Sequence, residues 1–222
     1  MNPRIALIHA VRVSIDPIRA AFAEQWPEAR TFNLLDDSLS VDLAAAGSEN
    51  DAIQDRFHRL ANYAFDVEAD AILFSCSAFG VSIDKVKARH KKPVLKPNEA
   101  LIEEALAMGP RIAVLATFAP TLVSMRHEFE ALARELGKSI DLDMRFIANA
   151  MDALDKGDGG RHDSLIADAA EKVADADAIV LAQFSMARAL SAAERAGRPP
   201  VLTSPRSAVA KLKRISTTDR PL

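Results

Sequence analysis

The chain contains a single cysteine, Cys76, in 222 residues. An intramolecular disulfide is therefore excluded, and a reducing, cytoplasmic setting is expected. No apolar run approaches the roughly 18 residues that span a bilayer. Met1-Asn2-Pro3-Arg4 leads straight into a strand-like run, not a signal-peptide core. Excess charge of one sign is missing too. The 28 Lys and Arg against 31 Asp and Glu leave a formal charge of −3, which argues against nucleic acid or an anionic membrane as partner. No His, Cys, Asp and Glu spacing resembles a metal site. Phosphate-loop, dinucleotide-fingerprint and nucleophile-elbow motifs are absent as well. Neither a metal nor a cofactor is expected.

What the chain does have is an internal repeat. Pro3-Arg4-Ile5-Ala6-Leu7-Ile8 matches Pro110-Arg111-Ile112-Ala113-Val114-Leu115 at an offset of 107 residues. Ala69-Asp70-Ala71-Ile72-Leu73-Phe74 matches Ala176-Asp177-Ala178-Ile179-Val180-Leu181, and Pro93-Val94-Leu95 matches Pro200-Val201-Leu202, both in that register. Such a period is too long for a solenoid and suits a duplicated lobe.

Within each copy short apolar runs alternate with helical periodicity. Ile5 to Ile8 reads as a strand, and Asp16-Pro17 as a helix start, with Ile18, Phe22 and Trp26 on one face. Strands are expected at Arg30 to Leu35, Ala71 to Phe74 and Val94-Leu95, and helices at Ala52 to Phe65 and Val81 to Arg89. The second copy follows with strands at Ile112 to Leu115, Ile140 to Ile147, Ile179 to Leu181 and Val201-Leu202. Its helices are expected over about residues 120–136, 163–174 and 186–196. Gly157-Asp158-Gly159-Gly160 reads as a surface loop before a helix. The fold class is α/β: two pseudo-two-fold-related lobes, each a short parallel sheet flanked by helices, with ligands at the carboxyl ends of the strands. The first lobe is expected to comprise 1–97 plus 204–222, and the second 98–203.

Cys76 lies between a strand end and a helix start, in Ser75-Cys76-Ser77-Ala78-Phe79-Gly80. Backbone N–H groups and the helix dipole there favour a thiolate or a bound carboxylate, so a lowered thiol pKa is expected. Ser77 adds a hydroxyl for an oxyanion. Thr117 and Thr121 follow the matching first strand of copy two, as oxyanion donors or as helix caps. His9 ends the first strand toward the same edge, as a second acid/base or as a structural histidine. The other histidines (His58, His90, His127, His162) read as solvated. Asp36-Asp37-Ser38-Leu39-Ser40 reads as a solvated turn, or as a segment reaching the ligand. Lys96-Pro97-Asn98-Glu99 reads as a helix start, with Lys96 or Glu99 touching substrate as the alternative.

Duplicated α/β lobes with Cys-Ser after the third strand of the first copy resemble the aspartate/glutamate/hydantoin racemase superfamily, over nearly the whole chain. The resemblance implies an active site in the cleft between lobes, a small carboxylate substrate, a homodimer, and one cysteine per lobe on opposite faces of the substrate's α-carbon. The sequence departs from that pattern. At the repeat offset Cys76 corresponds to Gln183, Ser77 to Phe184 and Ala78 to Ser185. A glutamine amide does not take a proton near neutral pH, and Ser185 needs an adjacent base. Gln183 and Ser185 are therefore expected to bind substrate. A one-sided reaction with Cys76 as acid/base or nucleophile is expected, similar to the one-cysteine arylmalonate decarboxylase branch. The alternatives are a racemase with a non-cysteine second base, such as His9, and a non-catalytic carboxylate-binding protein.

Overall fold

The computed structural model describes residues 2–194 and 198–218. It divides into two compact units, Met1–Glu99 with Ala208–Leu222, and Ala100–Ser207; positions 219–222 of the expected first lobe lie outside the described residues. In the first unit the order is β1 (Arg4–His9), α1 (Ile15–Gln25), β2 (Arg30–Leu35), α2 (Ser38–Ala46), α3 (Asp51–Asp66), β3 (Ala71–Phe74), α4 (Gly80–Arg89) and β4 (Val94–Leu95). There follow α5 (Glu99–Met108), β5 (Arg111–Ala116), α6 (Ala119–Glu135), β6 (Asp141–Phe146), α7 (Ala150–Asp155), α8 (Gly159–Glu171), β7 (Ala178–Leu181), α9 (Leu190–Ala193), β8 (Val201–Thr203) and α10 (Ser204–Thr218).

Each unit holds a four-stranded, all-parallel sheet, ordered β2-β1-β3-β4 in one and β6-β5-β7-β8 in the other. The repeat register carries through to the ladders: Ile5 faces Ala71 as Ile112 faces Ala178, and Ile72 faces Val94 as Ile179 faces Val201. The second strands break it, since β2 and β6 start at Arg30 and Asp141. The same latch closes the amino edge twice. The Arg4 N–H donates to the Asp70 carboxylate at 2.7 Å, and the Arg111 N–H to that of Asp177 at 2.9 Å. Gly109 keeps room for the second latch: a Cβ there would collide with the Asp177 carboxylate.

Parallel sheets cover both faces, so their middle strands are apolar throughout rather than alternating. β3 and β7 are buried at every position. In the first unit Ala6, Ile8, Ile72 and Phe74 pack on Ile53, Phe57 and Ile83 of α3 and α4. Ile5 and Leu7, on the opposite pleat, are fully buried too. In the second unit Ile112, Val114 and Val180 pack on Met125 and Phe129 of α6, while Leu115, Ile179 and Leu181 face Ile166 of α8. Burying each such large side chain contributes about 1.5–3 kcal/mol.

Several elements differ from expectation. α2 and α7 were not foreseen, because neither is long enough to show a helical period. The helix expected over 186–196 is a 3-10 turn at Phe184–Ala189 followed by the single turn of α9; residues 195–197 lie outside the described residues. Gly159 and Gly160 open α8 instead of lying in a loop, with the Asp158 carboxylate accepting from the Arg161 N–H at 2.9 Å. α1 starts at Ile15, which places Pro17 one residue pair further into the first turn than a Pro at N1.

Glu99, at the start of α5, joins two lysines of the first unit. Its carboxylate accepts from Lys87 of α4 and Lys211 of α10, each at 2.6 Å. Burial alone would raise its pKa, but the hydrogen bonds from Lys211 and then Lys87 outweigh that and hold it below 4.5. A depressed carboxyl pKa stabilises the fold above the unfolded value, and that stabilisation is lost as pH falls through the folded one. Glu99→Gln is expected to lower unfolding free energy by about 1–3 kcal/mol at pH 7. Urea titrations from pH 7 to 3 should show a gap between wild type and variant that closes below pH 4.5.

Candidate functional site

β3 ends at Phe74, and the chain turns through Ser75 and Cys76 into a 3-10 turn at Ser77–Phe79 before α4. Three contacts hold this segment. The Ser75 N–H donates to the Ile8 carbonyl at 3.0 Å, extending the ladder by one residue. Phe79 is fully buried, its ring 4.8 Å from that of Phe57. The Ser75 hydroxyl lies 2.7 Å from Nδ1 of His9.

His9 sits inside the protein and not at an open edge, 1 % exposed. Its Nε2–H donates to the Asn33 side-chain oxygen Oδ1 at 2.9 Å, which leaves Nδ1 to accept from the Ser75 hydroxyl. The Ser14 hydroxyl, 2.8 Å from that of Ser75, donates to the Val11 carbonyl at 2.9 Å. Burial pushes the His9 pKa below 6.5, against the opposing hydrogen bond to Asn33. Both ring nitrogens are thus engaged by protein groups. At the repeat offset His9 and Ser75 become Ala116 and Ala182, so the network belongs to the thiol-bearing unit alone.

The Cys76 thiol is half-buried. Contrary to the expectation of a lowered pKa, burial pushes the thiol upward. The Ala78 N–H favours the thiolate, and the Glu49 carboxylate raises the pKa again. Neither the desolvation of the folded thiol nor the place of Glu49 is visible in the sequence around Cys76. Ser77 is half-buried, without a hydrogen-bond partner among the described residues.

In the second unit Gln183 occupies the position matching Cys76. Each precedes a 3-10 turn with extended backbone, φ −124 and ψ 117 for Cys76, φ −129 and ψ 145 for Gln183. The Gln183 side-chain oxygen accepts from the Thr117 N–H at 2.7 Å and from the Thr117 hydroxyl at 3.0 Å. Thr117 is therefore not a helix cap. Its two donors hold the amide so that the Nε2 hydrogens are left for another acceptor. Thr121 lies in the first turn of α6, at the edge of burial, its own N–H donating to the Phe118 carbonyl at 3.0 Å. Ser185 is half-buried in the 3-10 turn.

Other expectations resolve plainly. Asp36 is not a loose turn residue: hydrogen bonds from Arg56 and Ser38 outweigh burial and hold its pKa below 3.8. Lys96 pairs with Asp84 at 2.6 Å. His58 and His162 are buried, not solvated, because they fall on the inward faces of α3 and α8. Among the described residues no group of three or more His, Cys, Asp and Glu is placed to hold a metal ion, and no helix is long and apolar enough to cross a membrane.

A histidine pKa depressed by folding makes the unfolded chain bind more protons between the two values. Stability is then full above 6.5 and falls as pH drops below it toward the folded value. His9→Gln should cost about 1–3 kcal/mol at pH 7.5, since Ser75 and Asn33 lose a buried partner. It should also flatten the decline in stability between pH 7 and 5, as read by thermal unfolding.

The family model for Asp/Glu/hydantoin racemase matches residues 15–216. No curated protein matches the sequence. Among solved structures, a glutamate racemase isoform from Bacillus anthracis superposes with a TM-score of 0.72 at 13 % identity, over 97 % of this chain and 82 % of that one. Allantoin racemase from Klebsiella pneumoniae gives 0.71 at 18 % identity, over 98 % and 89 %. A Gly74Cys mutant of arylmalonate decarboxylase gives 0.66 at 17 % identity, over 98 % and 95 %. The two parallel four-stranded sheets flanked by helices are the fold these proteins share, and the match over nearly the whole chain places it in the Asp/Glu/hydantoin racemase family.

Proposed function

We propose that the protein is a cofactor-independent enzyme that transfers a proton at a carbon next to the carboxylate of a small organic acid, with Cys76 as its one acid/base thiol. The observation that carries this reading is the matched pair of strand-end positions. One holds a thiol. The other holds an amide whose oxygen is already bonded to Thr117, and an amide neither gives nor takes a proton near neutral pH.

A thiol with a raised pKa is a proton donor before it is a nucleophile. The step it suits is protonation of an enediolate. That enediolate is generated when CO2 leaves and the C–C bonding pair stays on the α-carbon, or when the Cys76 thiolate removes the α-proton in an isomerisation. The S–H proton goes to the carbon, the electron pair of the enediolate forms the new C–H bond, and the resulting thiolate recovers a proton from water. The Ser77 hydroxyl, the Thr121 hydroxyl, the Ser185 hydroxyl and the Gln183 Nε2 hydrogens are assigned to hydrogen bonds with carboxylate oxygens. His9 is assigned a positioning role, fixing Ser75 and with it the start of the thiol loop. A true racemase would need a second base, and the geometry of His9, with both nitrogens engaged, weakens that alternative. We place the protein in the cytoplasm, as a homodimer acting on a small carboxylate.

The test is solvent exchange. Wild type incubated in deuterated water with enantiopure short 2-substituted acids, and with 2-substituted malonates, should place deuterium at the α-carbon with one stereochemical sense. Cys76→Ala should lower that rate by about 10²–10⁴-fold, while Gln183→Cys should fold and begin to scramble configuration. Efficient racemisation by the wild type would overturn the one-thiol mechanism, and binding without exchange would make it a carboxylate-binding protein.

A further inference from the structure

α4 begins four residues after Cys76, and nothing on its own flank caps it: Phe79 at the N-cap makes no side-chain hydrogen bond. The cap comes from elsewhere. Gly47, at φ 74, ends α2 in the left-handed region that a side chain would strain, and two residues later Glu49 lies over the amino end of α4. Its carboxylate accepts from the Val81 N–H at 3.1 Å, from the Ser82 N–H at 2.8 Å and from the Ser82 hydroxyl. Those N–H groups are the ones a helix offers to a bound anion. The seat is taken by the protein's own carboxylate.

A helix amino end carries roughly half a positive charge, whereas Glu49 brings a full negative one. The net field at the neighbouring loop therefore favours the uncharged thiol. We propose that Glu49 is a positioning residue for Cys76, filling the amino end of α4 so that the thiol stays a proton donor and does not become a thiolate nucleophile. The inference rests on the reading of Cys76 as an acid. Glu49 is also the charged side chain that bears on the sulfur, adding to burial and opposing the Ala78 N–H. His9, on β1 beside Ser75, has both ring nitrogens hydrogen-bonded, and burial favours its neutral form.

Cys76 is the sole cysteine, so iodoacetamide alkylation of the whole chain reports it directly. Rates measured against pH should give a midpoint lowered by about one pH unit in Glu49→Gln, which keeps an oxygen acceptor for α4 and removes the charge. Glu49→Ala, which removes both, should shift in the same direction, and Glu49→Asp, which keeps the charge, should stay near wild type. Far-ultraviolet circular dichroism checks that each variant is folded. A midpoint in Glu49→Gln that coincides with wild type overturns the proposal, as does a shift confined to Glu49→Ala. The readout needs no substrate. Shifted midpoints in a protein that exchanges no α-proton would leave this inference standing and remove the functional reading instead.

Discussion

Two parallel strands need a crossover between them, because the chain must return to the same end of the sheet before it can pair again. β1 with β3, and β5 with β7, are such pairs. Their pairing forces helices onto both faces, makes the middle strands apolar at every position, and gathers every strand's carboxyl end along one edge. Cys76 and Gln183 stand on those edges because two residues past β3 and β7 is where the ladder stops. One more bond is made beyond each strand, Ser75 to Ile8 and Ala182 to Leu115. After that the backbone is free to turn, and a side chain is free to do chemistry.

The same pairing explains why contacts recur at one separation. Arg4 with Asp70, His9 with Ser75, Arg111 with Asp177 and Thr117 with Gln183 are each 66 residues apart. Any polar pair laid across the two middle strands must have that spacing, whatever its purpose. At the amino edge the pair is the same in both units and serves the fold. At the carboxyl edge the pairs have diverged. The first unit sets a His–Ser–Ser–Asn network under the thiol loop, and the second has alanine at the positions of His9 and Ser75 and anchors an amide instead.

Legibility in the sequence followed physical range. The middle strands were plain, since a four-residue apolar run is too short for a helix, and the repeat fixed the match of Cys76 with Gln183. The long helices α3 and α6 showed their period. α2, with Ser38-Leu39-Ser40-Val41, and α7 did not, because one or two turns carry too few apolar positions to define a face. The site was legible where it depended on strand ends. Its electrostatics were not, because Glu49 acts on a helix whose contacts lie 32 and 33 residues ahead, and neither propensity nor motif predicts such a cap. His9 was visible as a histidine at a strand end. That its two nitrogens were already committed depended on Asn33 from β2, whose register does not obey the repeat.

The Asp70 and Asp177 latches have a consequence for how this protein tolerates change. They sit at the opposite end of each sheet from the residues assigned to chemistry, and each closes a backbone amide of a middle strand. Damage at that end loosens the sheet without touching a reacting atom, whereas exchange of side chains at the other end alters reactivity on an unaltered frame. The two kinds of selection therefore fall on different residues. A lineage built on this plan is free to vary its acid/base groups one side chain at a time while the carboxylates that hold its strands stay fixed.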